Sequence, residues 1–297
     1  MSGRQVTVRA SAKINLHLGV GAARSDGFHP LETVYQAVSL YDDLTARPGT
    51  GVTVTGEPHV AVADVPTDET NLAARAARAL TDRPTALTIH KAVPVAGGMA
   101  GGSADAAAAL VATDRLWDLG TTDDDLLAHA AGLGSDVPFS LVGGTALGTG
   151  RGEVVTAVDD RHTWWWVVAP ATGGLSTAAV YRRFDELAEL AELAEPTATP
   201  TPSGPLLDAL ASGDPHQLAA TLHNDLQPAA LDLRPDLGEL LTRGEEAGAL
   251  RGLVSGSGPT CVFLTGSPDH AREVSAALDG SLVAHGPVAG AHVVTYA

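Results

Sequence analysis

Residues 94–107 read Pro94-Val95-Ala96-Gly97-Gly98-Met99-Ala100-Gly101-Gly102-Ser103-Ala104-Asp105-Ala106-Ala107, a glycine-rich run passing directly into an alanine-rich one. Glycines let a backbone turn tightly and bring its N–H groups against a polyphosphate. A helix starting just after them adds unpaired N–H donors and the positive end of a dipole. The chemistry this suits is the cradling of nucleotide phosphates. A Walker A loop would need a lysine before its serine, and Gly101-Gly102-Ser103 has none; a dinucleotide fingerprint would need glycine where Ala96 stands. Taken alone, the run also allows the plainer reading of a strand-to-helix connection.

Other residues add reactive groups. The chain has only two lysines, Lys13 and Lys91. Lys13 lies in the alternating segment Ala12-Lys13-Ile14-Asn15-Leu16, where burial would require a carboxylate partner. Lys91 precedes the glycine run. Asp136 sits between Gly134-Ser135 and Val137-Pro138, at the entry to an apolar segment. Such a carboxylate serves either as a partly buried general base or as a turn cap. Phe28-His29 pairs a ring that can stack on a nucleobase with an imidazole able to read its edge.

The composition bounds the setting for this chemistry. The 297 residues suffice for one large or two ordinary domains. Lys and Arg number 18 against 35 Asp and Glu, a formal charge of −17, which opposes nucleic-acid backbones and anionic membranes. A phosphorylated substrate must therefore meet a locally positive pocket. The single cysteine, Cys261, excludes an internal disulfide and suits a reducing compartment. No apolar run is long enough to span a bilayer, and residues 1–9 lack the apolar core of a signal peptide. A cytoplasmic location is expected, with the oligomeric state, monomer or homodimer, left open.

Periodicity supplies the elements that must position these groups. Strands are expected at Gln5–Arg9, Ile14–Leu18, Val34–Leu40, Val52–Thr55 and Ala86–His90, the last feeding the glycine run. Helices are expected at Thr70–Leu80, with Thr70 as cap, at Ser103–Leu116 and at Thr122–Ala131. Val137–Val142 suggests a strand, as does Trp164-Trp165-Trp166-Val167-Val168, whose tryptophans suit a core. Further helices are expected at Ser176–Ala194, Pro215–His223, Leu237–Ala247 and Asp269–Leu278. Strands are expected at Gly252–Val254, Thr260–Leu264 and Ala291–Thr295. The Pro/Thr-rich stretch from Glu195 to Pro205 is expected to be an exposed, mobile loop. Both halves thus mix helices with mainly antiparallel sheet, an α+β arrangement.

Three distant pieces line up: Ala12–Leu16, Pro94–Ala107 and Ser255-Gly256-Ser257-Gly258-Pro259-Thr260. Together they resemble the three motifs of the GHMP kinase superfamily. Ser25-Asp26-Gly27-Phe28-His29, Leu133-Gly134-Ser135-Asp136-Val137-Pro138-Phe139, Gly174-Leu175-Ser176-Thr177 and His223-Asn224-Asp225-Leu226 narrow the resemblance. They point to the branch whose acceptor is a cytidine diphosphate-linked methylerythritol. The resemblance implies a two-domain GHMP kinase fold, with a ribosomal-protein-like N-terminal domain over residues 1–160 and an α/β-sandwich C-terminal domain over residues 161–297. It implies ATP and Mg²⁺, and a small-molecule kinase that phosphorylates the acceptor's 2-hydroxyl.

The resemblance also assigns roles. Asp136 becomes the base and Lys13 its cationic neighbour. Pro94, Val95, Ala96, Gly97, Gly98, Met99, Ala100, Gly101, Gly102, Ser103 and Ala104 wrap the ATP phosphates, with Mg²⁺ held through ATP near Ser103. Asn71, Leu72 and Lys91 match adenosine contacts, although Asn71 also suits a plain helix cap. Asn15, Phe28, His29 and Thr177 match acceptor contacts, with an edge-strand asparagine and a helix-start threonine as the plainer readings. His17 is expected to be structural. The family loop commonly reads Gly-Leu-Gly-Gly-Gly-Ser-Ser, whereas this chain has Gly98-Met99-Ala100-Gly101-Gly102-Ser103-Ala104. Ala100 should be tolerated unless its φ must be positive. Ala104 removes a hydroxyl, and Phe28 replaces the usual tyrosine while keeping the ring.

Overall fold

The structure, a computed structural model, describes residues 4–25, 27–95, 97–190 and 197–294. Asp26, Ala96, Glu195, Pro196, residues 191–194 of the expected helix Ser176–Ala194 and Thr295 of the closing strand lie outside them. The first half runs β1 (Val6–Val20), β2 (Leu31–Pro48), β3 (Val52–Gly56), a short 3₁₀ turn at Val62–Asp64, α1 (Leu72–Leu80), β4 (Thr85–Lys91), α2 (Gly101–Trp117), α3 (Asp123–Leu133), α4 (Val137–Val142), β5 (Thr145–Gly150) and β6 (Val154–Val158). The second half runs β7 (Trp164–Ala169), α5 (Thr177–Glu189), α6 (Gly204–Ser212), α7 (Pro215–Thr221), β8 (His223–Asn224), α8 (Gln227–Leu233), α9 (Pro235–Glu246), β9 (Arg251–Val254), β10 (Cys261–Thr265), α10 (Pro268–Ala276), β11 (Leu282–Gly286) and β12 (His292–Val294).

Two sheets result. The larger follows the order β12-β1-β2-β4-β3, with β5 and β6 continuing from β2 and β8 beside β1; the smaller follows β11-β7-β10-β9. Strand β1 is the seam between the halves. One of its edges pairs antiparallel with β2. The other is held by β12, through Thr7↔Val294 to Arg9↔His292, and by β8, through His17↔His223 and Leu18↔Asn224. Val8 and Ala10 join the core under α1 and α2, built largely of alanines. Past an irregularity at Ser11/Ala12, residues Ala12, Ile14 and Leu16 join a second core with Trp164, Trp166, Val168 and Leu253. This shared core and the return of β12 bind the two halves across residue 160. Side chains alternate along a strand, so Lys13 and Asn15 face away from that core.

Several local outcomes differ from the periodicity. Val137–Val142 is a helix, α4, and not a strand: Pro138 in its first turn lacks the N–H a ladder would need but suits a helix start, and Gly143 at φ 66 ends it. Asn71, not Thr70, caps α1, accepting from Ala73 N at 2.9 Å. The strands β5, β6 and β11 and the helices α6 and α8 were not signalled by the pattern.

The Pro/Thr-rich stretch, expected to be mobile, is pinned over residues 197–203. Ala22 N donates to Thr197 O at 2.8 Å, and His17 Nε2 meets Thr201 O at 2.9 Å. Thr201 Oγ1 donates to Asp225 at 3.0 Å, and Ser203 donates twice to Glu32 at 2.6 Å. A Cβ on Gly19 would stand 2.3 Å from Thr201 O, so glycine is what lets the segment lie against β1. His17 is thus an anchor for this segment, and burial lowers its pKa.

Candidate active site

The phosphate loop rests on the third motif. A Cβ on Gly97 would stand 2.9 Å from Thr260 Oγ1, and one on Gly98 2.6 Å from Gly258 O. Gly98 also has φ 75, so both its space and its dihedral require glycine. Ala100, the N-cap of α2, has φ 57 and offers no capping side chain. The first N–H groups of α2 are therefore free of a side-chain cap and face the cleft, as an anion cradle requires.

The positive φ of Ala100 meets the condition under which alanine is strained. A left-handed non-glycine residue costs about 1–2 kcal/mol, and glycine's added freedom in the unfolded chain offsets about 0.4–1 kcal/mol of the relief. Ala100→Gly should therefore raise Tm by about 2 °C, corresponding to a net gain of up to about 1 kcal/mol. A lowered Tm in thermal unfolding would show that the alanine methyl contributes more than its backbone costs.

Lys91 lines the cleft, but its ammonium is already engaged. It is 2% exposed and donates to Asp42 at 2.5 Å and to Asp105 at 2.7 Å, beneath the first residue of α2. Asp42 also accepts Ala92 N at 2.7 Å and Val93 N at 2.9 Å. Burial opposes the ammonium's charge, yet the two carboxylates outweigh it and hold the Lys91 pKa up. Burial raises the Asp105 carboxyl against the pull of Lys91, and its Oδ1 has no partner. Lys91 thus fastens β4, β2 and α2 under the phosphate loop. Asn71 and Leu72 do not line the cleft. Asn71 instead caps α1 and donates to Pro66 O at 2.7 Å, and Pro66 does line it.

Lys13 and Asp136 meet across the larger sheet. Lys13 is 6% exposed; its ammonium donates to Asn15 Oδ1 at 2.8 Å and lies 3.6 Å from Asp136 Oδ2. Its own N–H donates to Met99 O at 3.2 Å, tying this strand to the phosphate loop. Asp136 stands at the N-cap of α4 but makes no capping hydrogen bond, leaving its carboxylate to Lys13 and the cleft. Asn15 Nδ2 donates to Thr33 at 2.8 Å, so its amide bridges Lys13 to β2.

At the other end the cleft is aromatic. Phe28 is 50% exposed, with the Arg151 guanidinium 5.0 Å from its ring centre. His29 is buried; its Nε2 meets Asp185 at 2.9 Å and its ring lies 5.1 Å from that of Tyr181. Burial, then the charge of Asp136, raises the Tyr181 phenol. Thr177 Oγ1 and Ser257 Oγ are 2.9 Å apart on facing segments of the second half. Asp42, Asp105, Tyr35, Tyr181, Arg151 and Asp185 escaped the motif reading. The signal that finds them is long-range: each partners or neighbours a motif residue.

The cleft, about 1060 Å³, runs continuously from Asp64, Val65 and Pro66 past the phosphate loop and Lys13–Asp136 to Phe28 and Tyr181. Its volume suits large ligands, and both members of the ammonium–carboxylate pair line it. Among the described residues no group of three or more His, Cys, Asp or Glu forms a metal-ligating cluster. No helix of the described residues is long and apolar enough to cross a membrane.

Residues 71–144 match the family model for the GHMP kinases N-terminal domain, and residues 206–284 that for the GHMP kinases C-terminal domain. A 4-diphosphocytidyl-2-C-methyl-D-erythritol kinase from a Nocardioides species is 63% identical, covering 98% of this chain and 100% of its own. One from Thermobifida fusca is 53% identical, covering 97% and 98%. A crystal structure of a 4-(cytidine 5'-diphospho)-2C-methyl-D-erythritol kinase superposes with TM-score 0.75 at 31% identity, covering 94% of this chain and 98% of its own. A homoserine kinase from Cytophaga hutchinsonii shares the fold, with TM-score 0.72 at 20% identity, covering 99% and 98%.

Proposed function

The chain belongs to the 4-diphosphocytidyl-2-C-methyl-D-erythritol kinases of the GHMP kinase superfamily, and we propose that Lys13 and Asp136 are the side chains that carry the reaction. The enzyme transfers the γ-phosphoryl group of ATP to the 2-hydroxyl of its cytidyl-linked acceptor, giving the 2-phosphate and ADP, in the non-mevalonate route to isoprenoid precursors. The observation that carries the assignment is the Lys13–Asp136 pair, 3.6 Å apart beside the phosphate loop.

Phosphoryl transfer asks chiefly for in-line positioning and charge stabilisation. The acceptor hydroxyl gives its proton to Asp136 as its oxygen bonds to the γ-phosphorus, and the bond to the β,γ-bridging oxygen breaks to release ADP. The Lys13 ammonium balances the charge of the carboxylate and offsets negative charge on the transferring group. The loop around Gly97, Gly98 and Gly101–Ser103 supplies backbone donors to the phosphates. Val65 and Pro66 form the adenosine wall, with Asn71 holding Pro66 from behind. The free helix start suits the phosphates, and the Ser103 hydroxyl would help hold a phosphate-bound Mg²⁺, which would supply charge neutralisation. The buried single thiol, Cys261, is in keeping with a cytoplasmic setting.

At the acceptor end, Phe28 offers the cytosine a face and the His29 imidazole reads its edge, with Asp185 setting the imidazole's orientation. Acceptors without a base, such as homoserine or mevalonate, have nothing to place there. Base–aromatic stacking contributes about 1–3 kcal/mol. Phe28→Ala should therefore raise KM for the cytidyl substrate by about 5- to 100-fold and leave KM for ATP within about twofold. Equal increases for both substrates in steady-state kinetics would refute the stacking role.

A further inference from the structure

The pinned segment 197–203 has no part in the reaction described above, yet it lies across the hairpin that carries Phe28 and His29. Those two residues sit in the connection 21–30 between β1 and β2. The segment follows α5, whose Asp185 and Tyr181 hold the His29 imidazole. The chain thus reaches the hairpin from two sides, with α5 against the ring of His29 and 197–203 against the stem.

Both arms of the stem are gripped. On the β1 side, Gly19 lets Thr201 approach, and Ala22 N donates to Thr197 O at 2.8 Å. A Cβ on Gly21 would stand 3.2 Å from Thr197 O and from Ala198 O, so glycine there also admits the segment's backbone. On the β2 side, Glu32 is the register partner of Gly19 and takes both donors of Ser203, which is 1% exposed. Asp225 closes the arrangement: one carboxylate oxygen accepts from Val20 N at 2.8 Å and from Thr201 Oγ1 at 3.0 Å, and the other meets His223 Nε2 at 2.6 Å. Leu18 and Leu31, next to Gly19 and Glu32, line the cleft with Gly27, Phe28 and His29. Among the described residues lining it, none belongs to 197–203. The segment stands behind the acceptor end of the cleft.

We propose that residues 197–203 brace this hairpin, with Thr201 and Ser203 as positioning residues for the acceptor: they hold Phe28 and His29 in the geometry that receives the cytosine, without touching it. The inference rests on Phe28 and His29 being the cytosine contacts. A loop already held in its binding geometry loses less freedom when the ligand arrives, so the brace acts on acceptor affinity. The phosphate loop rests on Gly258 and Thr260, with Lys91 beneath it, and is independent of the brace.

The test is the double variant Thr201→Val/Ser203→Ala, which removes two hydroxyl donors and keeps the segment's backbone hydrogen bonds. The expected result is a rise of about three- to tenfold in KM for the cytidyl acceptor, with kcat and KM for ATP within about twofold of wild type. Gly19→Ala, whose methyl would stand 2.3 Å from Thr201 O, should raise the same constant further. Thr201→Ser, which restores the hydroxyl, should behave as wild type. Combined with Phe28→Ala, the increases should fall short of their product, since both act on one contact. Equal rises in both KM values, or a lowered Tm with an unmoved acceptor KM, would overturn the proposal by reducing the segment to support of the fold. If Phe28→Ala raises the acceptor KM and the double variant does not, only the brace falls. If Phe28→Ala leaves the acceptor KM unmoved, the stacking assignment falls and the brace with it.

Discussion

Asp136→Asn is expected to lower kcat by about three orders of magnitude, the upper range for loss of a positioned general base. Asparagine keeps the size and shape of the side chain, so α4 and its Pro138 start should form as before. What disappears is the acceptor for the substrate proton and the negative charge 3.6 Å from Lys13. Removing a carboxylate near the phosphate site also removes repulsion toward ATP. The dissociation constant for ATP, measured by calorimetry, should therefore stay the same or tighten. A variant with turnover within about tenfold of wild type would exclude Asp136 as the base. One that loses ATP affinity in parallel would mean that the substitution disturbs the loop and not the chemistry.

Lys13→Met is expected to cost at least about 100-fold in kcat, with a different signature. Methionine keeps an unbranched apolar stem in a site that is 6% exposed, so the strand should still form. The carboxylate loses its cation, and the transferring group loses a positive charge that would offset its own. Loss of a cation near the phosphates should also weaken ATP binding, the reverse of what is expected for Asp136→Asn. A Lys13→Met enzyme with nearly full kcat would remove the ammonium from the reaction.

The site was legible to the extent that its residues sit in contiguous motifs. Lys13, the glycine loop and Asp136 each carry their chemistry in a few neighbouring residues, and the structure brings the three together. Lys91 was less legible because its role depends on partners elsewhere in the chain, and Asn71 because its partners are nearby backbone groups. Asp42 and Asp105, 49 and 14 residues from Lys91, draw its ammonium beneath the loop. Asn71 has backbone donors of its own helix within reach, and local bonds of that kind usually capture such a side chain. Helix α4 was misread because six residues, five of them apolar, are too few to show a period, and the one decisive residue, Pro138, was given too little weight. The pinning of residues 197–203 was invisible for another reason: Glu32, His17 and Asp225, which hold them, come from three separate segments.

Strand β1 keeps only one edge for its own half; the other belongs to β8 and β12, residues 223–224 and 292–294. The strand bearing Lys13 emerges during translation long before residues 292–294, its last neighbour. At about 5–20 residues per second, the wait is on the order of tens of seconds. Nascent chains therefore hold the glycine loop before they hold a finished seam beside it.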